Sequence, residues 1–193
     1  MGDYIYQDWN GDGQITGDDV HPISYNSAPM TNFGLTIGAS YKGFDLNTVW
    51  QGATGVTVSY VEQLNIPLWG GGSALGMFLD RYHPADPNAD PYNPNTVWIP
   101  GTYALTGTTA DVNSMFNIQD ASYVRLKSAE IGYSISPGIA KRIGIKGARI
   151  FVNGYNILTF TGVKYLDPEH PSSTYGYLYP LNKTYSLGVN IKL

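Results

Sequence analysis

Apolar and polar residues alternate one by one along several stretches of this chain, and each such stretch predicts a half-buried strand. From Thr184 to Leu193, Tyr185, Leu187, Val189, Ile191 and Leu193 fall on one face, and Ser186, Gly188, Asn190 and Lys192 on the other. Asn32 to Tyr41 repeats the pattern with Phe33, Leu35, Ile37, Ala39 and Tyr41. After Lys42-Gly43, Phe44 to Gln51 sets Phe44, Leu46, Thr48 and Trp50 against Asp45, Asn47, Val49 and Gln51. Two such runs joined by a tight Gly-containing turn predict a β-hairpin. Ala121 to Ile135 alternates with a change of parity near Lys127-Ser128: Val124 and Leu126 hold one parity, Ala129, Ile131, Tyr133 and Ile135 the other. That change predicts a bulge or a strand whose upper part leaves the membrane. Gly147 to Leu158, with Ala148, Ile150 and Val152 on one face, completes the set.

Between the hairpin and Ala121 the pattern is lost. Gly70-Gly71-Gly72, Pro84, Pro87, Pro91, Pro94 and Pro100 punctuate residues 52–119, and only Met77 to Tyr82 suggests a helical turn. Trp69, Tyr82, Trp98 and Tyr103 stand out as candidate ligand or lid contacts, against the plainer expectation that loop aromatics pack on one another. Residues 167–180 are loop again, with Tyr175, Tyr177 and Tyr179 alternating as an interfacial aromatic row or as ordinary strand packing. A tilted strand of about 9 to 11 residues crosses a bilayer within a β-barrel, and an edge strand of a soluble sandwich shows the same alternation. The last strand by itself leaves both open. The long irregular segment favours the barrel, whose outer loops are long while its inner turns are short.

The expected fold is therefore all-β: an antiparallel transmembrane β-barrel wall segment, about five strands of a larger barrel with long extracellular loops. Its expected divisions are an extracellular segment at 1–31, a hairpin at 32–52, a long extracellular loop at 53–120 and the final barrel strands at 121–193. Asp45, Asn47 and Gln51 would look into a polar lumen. About five strands with two open edges cannot close, and an unpaired edge is not tolerated in lipid, so the chain is expected to be part of a larger barrel.

Composition sharpens this picture. In 193 residues there are 16 Tyr, 23 Gly and 12 Pro against 13% charged residues, an excess suited to sheets with turns and wet-to-apolar boundaries. Mean hydropathy is -0.18 and no apolar run is long enough for a membrane helix, which a barrel does not need. A formal charge of -4 with scattered Lys and Arg argues against nucleic acid as a partner. The absence of Cys excludes disulfides and thiolate metal sites. Met1-Gly2-Asp3-Tyr4 carries neither a basic nor an apolar leader region, and an exported membrane protein with this start is expected to be a fragment.

One loop has the spacing of a cation site. Counting from Asp8 in Asp8-Trp9-Asn10-Gly11-Asp12-Gly13-Gln14-Ile15-Thr16-Gly17-Asp18-Asp19, oxygen side chains stand at positions 1, 3, 5 and 12, with Gly at 6. Asp8, Asn10, Asp12 and Asp19, with the carbonyl of Gln14, are the candidate ligands for a structural Ca2+. Asp19 at position 12, where an EF-hand has Glu, resembles the dockerin version of the loop. No amphipathic helices flank it, so a structural clip is expected rather than a sensor. Catalytic signatures are missing: His21, His83 and His170 lie in unrelated loops, and Asp80, Asp86, Asp90, Asp167 and Glu169 stand where carboxylates ordinarily cap turns. The chain is not expected to be an enzyme.

Taken in order, these pieces resemble the carboxyl-terminal part of the SusC/RagA-type TonB-dependent outer-membrane transporters. The resemblance runs from Gly2-Asp3 through Asp8-Trp9-Asn10-Gly11-Asp12-Gly13, Tyr41-Lys42-Gly43-Phe44-Asp45-Leu46 and Gln51-Gly52. It continues through Asp120-Ala121-Ser122-Tyr123-Val124-Arg125-Leu126-Lys127, Ile131-Gly132-Tyr133, Asn153-Gly154-Tyr155-Asn156 and Asp167-Pro168-Glu169. Leu193 departs from the aromatic residue that ends many barrels. The resemblance implies a barrel plugged by an amino-terminal domain and capped by a SusD-like surface lipoprotein. Such a transporter lies in the cell outer membrane, is energised by the TonB complex through the missing amino-terminal part, and imports glycans or peptides. The other expectation is a soluble, secreted β-rich module that binds a glycan and is stabilised by the dockerin-like calcium loop.

Overall fold

The structure is a computed structural model that describes residues 4–23, 26–104, 114–169, 179 and 181–193. The expected Tyr175 and Tyr177 of the aromatic row, and His170, lie outside the described residues. The chain divides into two compact units. One comprises Asn26–Val58, Gln119–Pro171 and Leu178–Leu193, the other Met1–Tyr25, Ser59–Ile118 and Ser172–Tyr177. They are called here the sheet unit and the loop unit.

The strands, in chain order, are β1 (Thr31–Tyr41), β2 (Phe44–Thr54), β3 (Thr57–Ser59), β4 (His83–Pro84), β5 (Trp98–Ile99), β6 (Ile118–Asp120), β7 (Tyr123–Ser134), β8 (Gly147–Thr161) and β9 (Thr184–Lys192). Five of them form one antiparallel sheet in the order β1-β2-β7-β8-β9. The hairpin closes on Lys42 and Gly43, both at positive φ (49° and 91°), the signature of a two-residue turn whose twist matches the strands it joins. The other short connection, from Ser136 to Lys146, contains a short helix, α1 (Pro137–Arg142). Pro137 opens it in the position where its missing N–H costs nothing.

β2 and β8 run beyond the expected Gln51 and Leu158 to Thr54 and Thr161. The ladder shifts at Lys127 of β7, seen between Val49 and Trp50 on its β2 side and between Leu126 and Ser128 on its β8 side. Lys127 is the residue left out on β7, and Asn156 and Ile157 are left out on β8, so Leu126 takes the face of Ile131 and Leu158 keeps that of Val152, in line with Trp50 and Leu46 on β2. The parity change seen in the sequence at Lys127-Ser128 is thus a bulge within a strand.

The loop unit has little regular structure. β4 and β5 pair over two residues, and short 3₁₀ turns occur at Glu62–Leu64, Trp69–Gly71, Gly76–Leu79 and Met115–Asn117. Its core includes Tyr60, Leu64, Met77 and Phe78. Between β4 and β5, Asp86, Asp90 and Asn93 each accept the amide two residues on, closing successive polar turns at 2.9, 2.9 and 3.0 Å.

Candidate functional site

The sheet has two chemically distinct faces. The ladder puts Leu35 beside Trp50, Tyr41 beside Phe44, Leu46 beside Ile131, Ile131 beside Val152, and Val152 beside Leu187. Leu35, Ile37, Leu46, Ile131, Ile150, Val152, Leu187, Val189 and Ile191 on this face are all exposed. Aromatic residues stand towards its two ends: Tyr41, Phe44 and Tyr133 near the short turns, Phe33, Trp50, Phe160 and Tyr185 towards the other. From Phe33 to Tyr41 is about 27 Å along the strand. An apolar band bounded by aromatic residues at both ends is the lipid-facing surface of a membrane barrel.

The opposite face is polar and internally paired. Arg149 on β8 donates from Nε to Asp45 on β2 at 3.0 Å and from Nη2 to Glu130 on β7 at 2.7 Å, and also closes a second bond to Asp45. Its side chain crosses β7 above Gly132, where a Cβ would collide with the guanidinium. One side chain therefore ties three strands, and a residue without a side chain makes the crossing possible. The Arg149 guanidinium also lies 5.0 Å from the centroid of the Phe151 ring, which occupies the space that a Cβ at Gly188 would need.

Nearer the long-loop end, Arg125 is 1% exposed. It grips both oxygens of Asp167 at 2.8 Å, pairs with Glu169, and donates from Nε to the Thr159 hydroxyl at 3.0 Å. The Tyr123 hydroxyl donates to Glu169 at 2.8 Å, and Gln51 donates to Tyr123 at 3.3 Å. Asp167-Pro168-Glu169 is thus anchored to β2 through Gln51 and to β7 through Tyr123 and Arg125, and Arg125 in turn holds Thr159 of β8. Two carboxylates and the Thr159 hydroxyl satisfy the buried guanidinium, the condition under which a charge can be buried.

Of the residues expected to face the lumen, Asp45 and Gln51 enter these two clusters, while Asn47 stands between them, opposite Glu130 in the ladder. Arg149, Glu130 and Gly132 were not singled out in the sequence. Their signal is opposite charges on one face of β2, β7 and β8, invisible until the register is known.

In the loop unit, the structure brings Tyr82 and Trp98 together in a stack, with centroids 5.0 Å apart and planes 18° apart. Tyr103 packs edge-on against Phe78 and Phe116 at 5.1 and 5.8 Å. Trp69 opens a separate 3₁₀ turn. Tyr82, Trp98 and Tyr103 thus pack on rings of the loop unit.

The candidate cation loop is closed by its own amides. Asp8 accepts from Gly11 and Gly13 at 2.7 and 2.8 Å, Asn10 from Asp12 at 2.8 Å, and Asp12 from Gln14 at 2.7 Å. Asp19 accepts from Trp9 and Thr16, each at 2.8 Å. The Thr16 amide foremost, with those of Trp9 and Asn10, holds the Asp19 carboxyl below its usual range. Among the described residues no group of three or more acidic or imidazole side chains is placed to hold a metal. The donor atoms at the motif positions are all hard oxygens, the class that calcium takes.

The class defined by this geometry is a segment of membrane β-barrel wall, apolar outside and ion-paired on its other face. No protein-family model matches the chain. Two curated proteins of Formosa agariphila, TonB-dependent receptor P26 and TonB-dependent receptor P3, are 29% and 27% identical to it over 99% of its length. The chain spans only 20% and 19% of theirs. Among solved structures, the RagAB peptide importer in its 'open-open' and 'closed-closed' states aligns with 93% of the chain at TM-scores of 0.63 and 0.64. Identity is 22% in both, over 19% of the importer chain. These alignments share the fold. Over nearly its whole length the chain is similar to a segment of TonB-dependent receptors.

Proposed function

We propose that this segment forms part of the wall of an outer-membrane nutrient importer of the SusC/RagA type, which takes up glycans or peptides too large for simple pores. The observation that carries the proposal is the sheet with one face of mostly apolar, exposed side chains and one ion-paired face. A soluble secreted module would leave an exposed apolar surface of this extent at risk of aggregation, whereas a barrel places it in lipid. The matched receptors and the RagAB importer support a TonB-energised transport role, with the TonB complex acting through parts of the receptor outside this segment. The pairing named in RagAB supports a SusD-like surface lipoprotein as partner. The loops with Tyr82, Trp98 and Tyr103 would then face the exterior, and Asp45, Asn47 and Gln51 the lumen.

The test is a single cysteine at Leu187 in the full-length receptor, spin-labelled and reconstituted in bilayers. The expected label is accessible to oxygen and shielded from a water-soluble nickel chelate. A label at Asn47 should show the reverse, and a Leu187 label freely reached by the chelate would overturn the proposal.

The loop from Asp8 to Asp19 is proposed to take calcium as a structural clip, supported by the donor spacing and by a turn already shaped by carboxylate-to-amide bonds. Trp9 provides the probe, because a terbium ion bound in the loop would be sensitised by its indole. A saturable luminescence that calcium displaces and that Asp8→Ala with Asp12→Ala removes is expected; no saturable signal would rule the clip out.

A further inference from the structure

At the short-turn end of the sheet unit, cations gather without counter-charges. Lys42 sits in the β1–β2 turn, Lys141 and Arg142 in the last turn of α1, and Lys146 just before β8, all of them exposed. The carboxylates nearest in the ladder, Asp45 and Glu130, are both taken by Arg149. Among the described residues no ion pair reaches the four cations.

The same end presents apolar groups. α1 buries Ala140 and leaves Ile139 exposed at 50%, and Ile143, which caps its end four residues on and so on the same side, is exposed at 63%. The aromatic row of Tyr41, Phe44 and Tyr133 ends the apolar face here. Phe44 and Tyr133 lie 4.7 Å apart, and the Lys42 ammonium stands 5.1 Å from the Tyr41 ring centroid. Lys146 precedes β8 on the parity of Ala148 and Ile150, in line with the apolar face.

We propose that this rim is a docking surface for anionic phospholipid headgroups of the adjoining leaflet. Ile139 and Ile143 enter the boundary with the acyl chains, while Lys42, Lys141, Arg142 and Lys146 bind phosphate oxygens. A short helix with an exposed apolar pair and a basic end is suited to lie in that boundary, and the four cations attract negative surface charge. The charge selects an anionic partner. Continuity with the aromatic row selects a membrane over an acidic protein, because only the headgroup layer offers phosphate and hydrocarbon side by side. This rests on the apolar face being the lipid face.

The experiment offers the full-length receptor, in neutral detergent, equal amounts of phosphatidylglycerol and phosphatidylcholine, and counts retained lipid by native mass spectrometry. The receptor should retain phosphatidylglycerol over phosphatidylcholine by about tenfold. K141Q/R142Q/K146Q should abolish the preference, K141R/K146R should keep it, and so should Lys183→Gln, away from the rim. Equal retention of both lipids, or a preference that survives the triple substitution, would overturn the proposal. So would millimolar inorganic phosphate that erases the preference, because it would assign the site to free anions. The Leu187 label separates the two readings: an oxygen-accessible label without lipid preference sinks the headgroup site alone, and a chelate-accessible label sinks the wall.

Discussion

The sheet unit and the loop unit are held together by different means. In the sheet unit a backbone ladder runs through five strands, and long-range ion pairs from Arg149 and Arg125 stitch neighbouring strands and fasten Asp167 and Glu169. In the loop unit, side chains close turns within a few residues of themselves, and ring pairs such as Tyr82 with Trp98 supply much of the packing. The wall can expose its apolar residues because its backbone is satisfied internally, strand to strand. The loops lack such a ladder and meet the same need with Asp and Asn side chains.

The contrast predicts unequal sensitivity to substitution. The largest effect is expected from Arg125→Gln, which leaves Asp167 and Glu169 without their cation. About 3–5 kcal/mol of stability should be lost in the assembled receptor, read from the urea midpoint, with new proteolysis near Glu169. If the midpoint holds and only proteolysis appears, the cluster serves the loop alone. Next comes Val189→Arg, expected to cost about 2–4 kcal/mol near the bilayer midplane, with failed assembly seen as loss of the heat-resistant folded band. A receptor that tolerates it would contradict the lipid-facing assignment. Gly132→Val should cost about 1–3 kcal/mol by forcing Arg149 off its path to Asp45, measurable by the same urea titration.

The smallest effect belongs to the loop unit and should stay local. Asp19 has a depressed carboxyl pKa, so its contribution to loop order is complete above the unfolded value of 3.8 and is lost as pH falls through the lower folded value. Amide exchange at Trp9 and Thr16 should accelerate only in that acid range, with the sheet still protected. Acceleration near neutral pH would remove the role given to Asp19.

Much of the sheet was legible in advance because a strand advertises itself by alternation, and Thr31–Tyr41 and Thr184–Lys192 lie within a residue of the expected limits. The bulge at Lys127 was legible too, since a parity change has few other causes. Arg149 was not, because its partners Asp45 and Glu130 lie 104 and 19 residues away in the chain. The helix α1 was missed because six residues leave too short a period to read. The sequence by itself determined the strands, their apolar and polar faces, and the turn at Lys42-Gly43, since each depends on neighbours within a few residues. Only the tertiary structure decided which charges meet, that Gly132 clears the way for Arg149, and that Arg125 anchors Asp167 and Glu169. Those depend on strand register, set by the bulge at Lys127 and the whole ladder, and on distances between residues remote in the chain.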